Sequence, residues 1–450
     1  MDAINNIFKA YDVRGRVGTE LTPEVAEKIG RAFADHLPND GKVAVGRDMR
    51  PDSAELADAV IKGLTEQGRD VLDIGEVTSD MIYFAVGANK LAGGLMVTAS
   101  HNPGEYNGIK LCREEAKPVG QESGLLEVRD AVMSGTFNPV ADTPGKVEQR
   151  DITEDWITHV LSFIDPKKLK PLKIAVDAGN GMAGKVFPDL EPYVPWEVEE
   201  MYFDLDGTFP NHEANPLKFE TLTDLINNIQ AGSLDGGIAF DGDGDRAFIV
   251  DETGTVLPGN VMNAMLAEYF LKEHPGSAIL YDLRSSHVVP ETIEASGGKA
   301  VRTRVGHSFI KQIMREQNAP FGGEVSGHFY FRDNYFADSG LIAAVIGLYV
   351  AGLSGKSLSQ LRAQYTKYPN IPETNFEVAD KAAVFAKLKE VFKDAKQDEL
   401  DGLTVELGPD TWFNVRASNT EPVIRLNAEA ATGQELNNLV EKVTNLITES

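Results

Sequence analysis

The sequence predicts an α/β protein: three related α/β domains and a smaller C-terminal α+β domain. Short apolar runs ending in Gly, Asp, Asn or Arg alternate with helical patterns such as residues 51–67, the pattern of parallel strands joined by crossover helices. Strand-to-loop tips recur in pairs along the first 364 residues, and the pattern then changes.

Taken in order, the run 42–45 feeds Gly46-Arg47-Asp48, and its companion 95–98 feeds Ala99-Ser100-His101-Asn102-Pro103. Residues 173–176 lead to Asp177-Ala178-Gly179-Asn180, and 237–240 to Asp241-Gly242-Asp243-Gly244-Asp245-Arg246. Residues 278–281 lead to Asp282-Leu283-Arg284, and Phe321 to Gly322-Gly323-Glu324-Val325-Ser326-Gly327-His328. These are three diverged repeats with two tips apiece; three unrelated α/β units are the plainer alternative. Connectors near 138–150, after 251 and around 365–373 divide the chain into domains 1–146, 147–251, 252–364 and 365–450. In the last, helices 380–393 and 433–448 flank strands 403–406, 412–416 and 422–428, a small sheet with some antiparallel pairing.

Composition narrows the function. The 450 residues are 42% hydrophobic and 25% charged, a globular balance with chain enough for about three or four domains. Asp and Glu number 69 against 43 Lys and Arg, a net charge of −26 that repels nucleic acid and anionic lipid. An anionic substrate must therefore meet a local basic cluster. A single cysteine, Cys112, excludes an internal disulfide and suits a reducing compartment as a buried structural thiol. No signal-like apolar run opens the sequence, so the expected location is cytoplasmic. The longest uncharged apolar stretch, 341–353, falls short of a membrane span and reads as a buried helix.

Four segments carry chemistry. Three carboxylates at alternate positions, Asp241, Asp243 and Asp245, can converge on one hard cation, for which Mg²⁺ is the natural choice. The spacing imitates the start of an EF-hand loop, with Glu252 at its twelfth position, but Arg246 takes the turn-glycine place and both flanks are strand-like. Ser100 lies just beyond an apolar strand, where open α/β sheets place ligands, and could accept a phosphoryl group; Ser-His-Asn-Pro is equally good turn chemistry. Arg416, Ser418, Asn419, Thr420 and Arg425 could cradle a phosphate, or form a turn with a surface ion pair. Tyr11 and Arg14, Lys110 after Asn107-Gly108, His307 after Val305-Gly306, and Glu324, Ser326 and His328 complete the set; their force lies in co-occurrence.

In this order these segments resemble the α-D-phosphohexomutase family, specifically its bacterial phosphomannomutase/phosphoglucomutase branch, over nearly the whole chain. Thr98 to Pro103 is similar to the family's phosphoserine loop, Asp241 to Arg246 to its metal loop, Gly323 to His328 to its sugar loop and Arg416 to Pro422 to its phosphate loop. The resemblance implies four domains around a central cleft and a monomer as a plausible state. It implies interconversion of hexose 6-phosphate and hexose 1-phosphate, of mannose or glucose, through phosphoserine 100 and a hexose 1,6-bisphosphate. Mg²⁺ would be held by Asp241, Asp243, Asp245 and the Ser100 phosphate, with Arg14, Lys110 and Arg246 around the transferred group. Lys110 would handle a proton, its pKa lowered by cationic neighbours, with His307 and His328 as supporting or rival groups. Glu324 and Ser326 would grip hydroxyls on carbons three and four; Tyr11 and Arg284 are further substrate contacts. Val325, and Asn419 in place of the glycine of glucosamine-type phosphate loops, depart from the phosphoglucosamine mutase pattern. That enzyme, a metal-dependent sugar phosphatase and a silent sugar-phosphate binder are the alternatives.

Overall fold

A computed structural model of the chain describes residues 2–417 and 423–449. Each predicted pair of tips is a pair of hydrogen-bonded parallel strands. Val43–Arg47 pairs with Gly93–Val97, Leu172–Asp177 with Gly236–Phe240, and Ala278–Asp282 with Phe321–Gly323. In every case a third parallel strand flanks the first of the pair on its other side: Val71–Glu76, Trp196–Met201 and Lys299–Thr303. The same three-strand unit therefore recurs three times, the topology expected of diverged repeats. The tip strands are apolar throughout because both faces are covered; all five residues of Gly93–Val97 and of Gly236–Phe240 are buried.

The contacts divide the chain into two compact units. One runs to Leu257 and adds Met314–Asn318 and Ser326–Ser359; the other comprises Pro258–Ile313, Ala319–Val325 and the chain from Gln360 onward. In the first unit, helix Pro23–His36 starts at Thr22, whose hydroxyl accepts from the Val25 amide, with proline at the first helical position. Its face of Ala26, Ile29 and Phe33 packs into the core with Val43, Val45, Val60 and Leu95. Burying each of the larger aliphatic side chains is worth about 1.5–3 kcal/mol. The apolar stretch noted in the sequence is helix Gly340–Ser354, buried along most of its length, and Cys112 is buried. Among the described residues no single helix is long and apolar enough to cross a membrane.

In the second unit the C-terminal sheet of five strands is antiparallel at every pairing, more uniformly than the sequence suggested. Helices Lys381–Val391 and Gly433–Thr448 cover it over a core containing Val384, Leu388, Phe413, Val415 and Val443. Val13–Arg16 pairs antiparallel with Tyr106–Arg113, so Lys110 sits mid-strand.

Candidate active site

Ser100 follows the strand Gly93–Val97 with φ +51°, a left-handed conformation costly for a residue with a Cβ and characteristic of functional turns. Arg50, itself buried, holds that turn. Its Nη1 donates to the carbonyls of Pro103 and Tyr106 at 2.9 Å each, and its Nη2 to those of Ser100 at 2.9 Å and Asn102 at 2.6 Å. Arg14 adds bonds to the Ala99 carbonyl at 2.8 Å and Asn102 Oδ1 at 2.6 Å. The Ser100 hydroxyl, thus fixed, donates to Asp241 Oδ2 at 3.0 Å and lies 3.1 Å from His101 Nδ1.

The Asp-rich tip joins strands Gly236–Phe240 and Ala247–Asp251, and its carboxylates are buried. One oxygen from each of Asp241, Asp243 and Asp245 lies within 4.8 Å of the others. Arg246 takes Asp241 by Nε and Nη2, both at 2.8 Å, and Nη2 also reaches His101 Nδ1 at 2.5 Å. Because arginine only donates, that His101 nitrogen must accept. Lys110 Nζ donates to Asp243 Oδ2 at 2.6 Å, Asp245 Oδ2 at 2.5 Å and Ser79 Oγ at 3.3 Å. Asp243 Oδ1 and Asp245 Oδ1 are buried without a hydrogen-bond partner among the described residues. Three carboxylates against two cations, with oxygens to spare, suit a hard divalent ion.

Here the expectation for Lys110 is reversed. Burial alone would lower its pKa, but Asp243 and Asp245 outweigh that and hold it well above the ordinary lysine range. Its neighbours across the tip are anionic, not cationic. Asp245 is correspondingly pulled down to about 2, against its burial, by Lys110 and then His328. Asp241 is pushed upward by burial despite Arg246.

The remaining predicted residues are divided between the two units. In the first, His328 Nε2 lies 3.9 Å from Asp245 Oδ1 and from Asp338 Oδ2, and its Nδ1 lies 3.4 Å from Ser326 Oγ. Tyr11 is half-buried just ahead of strand Val13–Arg16. In the second, Glu324 is buried, accepts from the Gly306 amide at 3.1 Å beside His307, and lies 3.8 Å from Arg284 Nη2. Arg284 is clamped by Asp282 at 2.8 Å, and Arg416 and Arg425 turn toward Glu373. Ser418, Asn419 and Thr420 lie outside the described residues. Sequence reading missed Arg50, Ser79, His101 as an acceptor, and Glu373. Arg50 follows the tip Gly46-Arg47-Asp48 by two residues, a signal that could have found it; Glu373 had none beyond its place in a connector.

Family models for the phosphoglucomutase/phosphomannomutase α/β/α domains I, II and III match residues 5–138, 154–254 and 258–368, and that for the C-terminal domain matches 373–446. The chain belongs to the phosphoglucomutase/phosphomannomutase family. A protein of Xanthomonas campestris described as "Phosphohexose mutases" is 41% identical over 426 residues, 94% of each chain. The phosphomannomutase of Salmonella montevideo is 41% identical over 438 residues, 95% of this chain and 96% of its own. The crystal structure of a phosphoglucomutase/phosphomannomutase family protein from Burkholderia thailandensis superimposes with a TM-score of 0.91 at 32% identity, covering 98% and 97% of the two chains. The chain is accordingly an isomerase that moves a phosphoryl group on hexose phosphates.

Proposed function

We propose that this enzyme interconverts the 6- and 1-phosphates of mannose and glucose through phosphorylated Ser100 and a hexose 1,6-bisphosphate. The observation that carries this reading is Ser100 Oγ, set on a strained turn and aimed at Asp241 beside two further buried carboxylates. Asp241, Asp243 and Asp245 with phosphoserine 100 would hold Mg²⁺, which when bound supplies charge neutralisation to the phosphoryl group.

In the transfer the sugar hydroxyl oxygen bonds to phosphorus and gives up its proton while the bond from Ser100 Oγ to phosphorus breaks, and the departing serine oxygen takes up one proton to become the free hydroxyl. The reverse step at the other hydroxyl restores phosphoserine and releases the isomerised monophosphate. Arg246, whose Nη2 lies 3.5 Å from Ser100 Oγ, steadies the charge of the transferred group. Lys110 has all three ammonium protons engaged, so in this reading it is a charge partner, and His328 receives the proton of the attacking hydroxyl. Glu324 and Ser326 grip the ring hydroxyls, and Arg284, Arg416 and Arg425 hold the phosphate that is not reacting. Small sugar phosphates are thus the partners.

Intact-mass measurement should find one phosphate on the wild-type protein and none on Ser100→Ala, whose mutase turnover should fall by about three orders of magnitude or more. Wild-type turnover in that variant would refute the phosphoserine mechanism.

A further inference from the structure

Within the second unit the guanidinium groups of the phosphate-binding region already surround an anion of the chain's own. Glu373 accepts from Arg416 Nη2 with both carboxylate oxygens, at 3.1 and 2.9 Å, from Asn427 Nδ2 at 3.2 Å and from Arg425 Nη1 at 3.5 Å. Arg284 Nη1 lies 3.8 Å from Glu373 Oε2. Three arginines from two distant parts of the chain therefore converge on one carboxylate, which the sequence reading had left in a connector. Its side chain is 25% exposed, so water and solutes reach it.

From this geometry we infer that Glu373 is a tethered stand-in for the substrate's phosphate: it holds Arg284, Arg416 and Arg425 together and is displaced when a phosphate enters. The inference rests on the phosphate-binding role given above to those arginines. Guanidinium groups recognise carboxylate and phosphate through the same forked hydrogen bonds. Glu373 offers one charge and two oxygens; a phosphate dianion offers up to two charges and three oxygens, so the exchange favours the ligand while weakening its net affinity. A carboxylate left among the forks would repel the dianion at hydrogen-bond range. The ionisation of Glu373 fits this role: burial raises its pKa, but Arg284 and Arg416 outweigh that and bring it below the usual glutamate range. An anion that returns to the arginines whenever the phosphate leaves keeps the grip reversible. A mutase needs such reversibility, because its bisphosphate must be let go and held again by the other end.

The test compares wild type with Glu373→Gln, and with Glu390→Gln as a charge control on the exposed end of helix Lys381–Val391. Calorimetric titration with glucose 1-phosphate and with inorganic phosphate should show Glu373→Gln binding both about three- to thirtyfold more tightly. Turnover should fall and less free bisphosphate should escape, while Glu390→Gln matches wild type. A purely structural ion pair predicts the opposite, with a lowered Tm and weaker binding, and equal or weaker binding in the folded variant overturns the proposal. Should Glu373→Gln fail to fold, a crystal structure of the wild-type enzyme with glucose 1-phosphate decides. Glu373 beyond hydrogen-bond range of Arg416 and Arg425 supports the exchange, and Glu373 still bonded to them refutes it. If neither protein binds the sugar phosphate but Glu373→Gln tightens on inorganic phosphate, the mutase reading fails and this one stands.

Discussion

Arg50 shows how one buried side chain can set the geometry of a serine hydroxyl through main-chain carbonyls alone. It bonds four main-chain carbonyls between Ser100 and Tyr106, and its guanidinium lies over the Phe209 ring at 5.1 Å. Lysine keeps the charge but has one nitrogen and cannot span those carbonyls. Arg50→Lys should therefore lose about 2–4 kcal/mol of stability and ten- to a hundredfold in kcat. Thermal unfolding and steady-state assays check this, and unchanged turnover would mean the Ser100 turn holds itself. At this scale the grouping was legible: Ser100 and the three aspartates, singled out in the sequence, lie together, with the Ser100 hydroxyl donating to Asp241. What each one faces was not. The resemblance set Lys110 beside Arg14 and Arg246, but its ammonium is taken by Asp243 and Asp245, more than 130 residues away in sequence. Glu373 was missed for the same reason, since its partners meet it only in the folded chain, whereas Arg50 stands two residues past a predicted tip.

Helix Gly340–Ser354 positions the Asp-rich tip as an element. Ser339 caps it, accepting from the Ile342 amide at 3.1 Å and donating to buried Asp80 at 2.6 Å. A Cβ on Gly340 would stand 2.7 Å from the carbonyl carbon of Arg246 and 2.7 Å from the Gly244 carbonyl oxygen, both main-chain atoms of the tip. Gly340→Ala should thus shift the tip by several tenths of an ångström, cost about 1–3 kcal/mol of stability and weaken Mg²⁺ binding about tenfold. Gly352→Ala, later in the same helix, would place its Cβ 3.1 Å from Lys170 Cγ, 3.2 Å from its Cβ and 3.7 Å from its main-chain nitrogen, away from the tip, and should leave metal binding intact. Calorimetric Mg²⁺ titration of both variants separates the two, and equal affinities would show that this contact does not shape the site. Elements whose apolar runs are continuous, such as Gly93–Val97, were plain in the sequence. The strand Tyr106–Arg113 was not, because Asn107-Gly108 is turn chemistry locally and becomes strand only by pairing with Val13–Arg16 across some ninety residues.

At the scale of the whole molecule, each unit carries a histidine held between a carboxylate and a carbonyl. In the first unit His212 Nε2 lies 3.0 Å from Asp177 Oδ2 and Nδ1 lies 2.9 Å from the Glu213 carbonyl. In the second, His287 Nε2 lies 3.2 Å from Glu406 Oε2 and Nδ1 lies 2.8 Å from the Pro409 carbonyl. Both partners of each ring only accept, so the doubly protonated imidazolium satisfies them best. Burial pulls each histidine down, yet the hydrogen bond and charge of Asp177 or Glu406 prevail and raise it above its ordinary value. A raised folded-state pKa means that the folded chain holds the proton longer than the unfolded chain. The stabilisation is then complete below about pH 6.5 and is lost as pH climbs through the folded values. Asp80, pushed by burial to about 7, and Asp241, pushed by burial to about 8, lose their own preference for the folded state across the same interval, so the histidines' share is read from their variants. Urea unfolding should therefore show lower stability at pH 8.5 than at pH 7, and His212→Gln and His287→Gln should each be less stable than wild type at pH 6 while losing part of that decline. Equal wild-type stability across the interval would mean that neither imidazolium is held in the folded state.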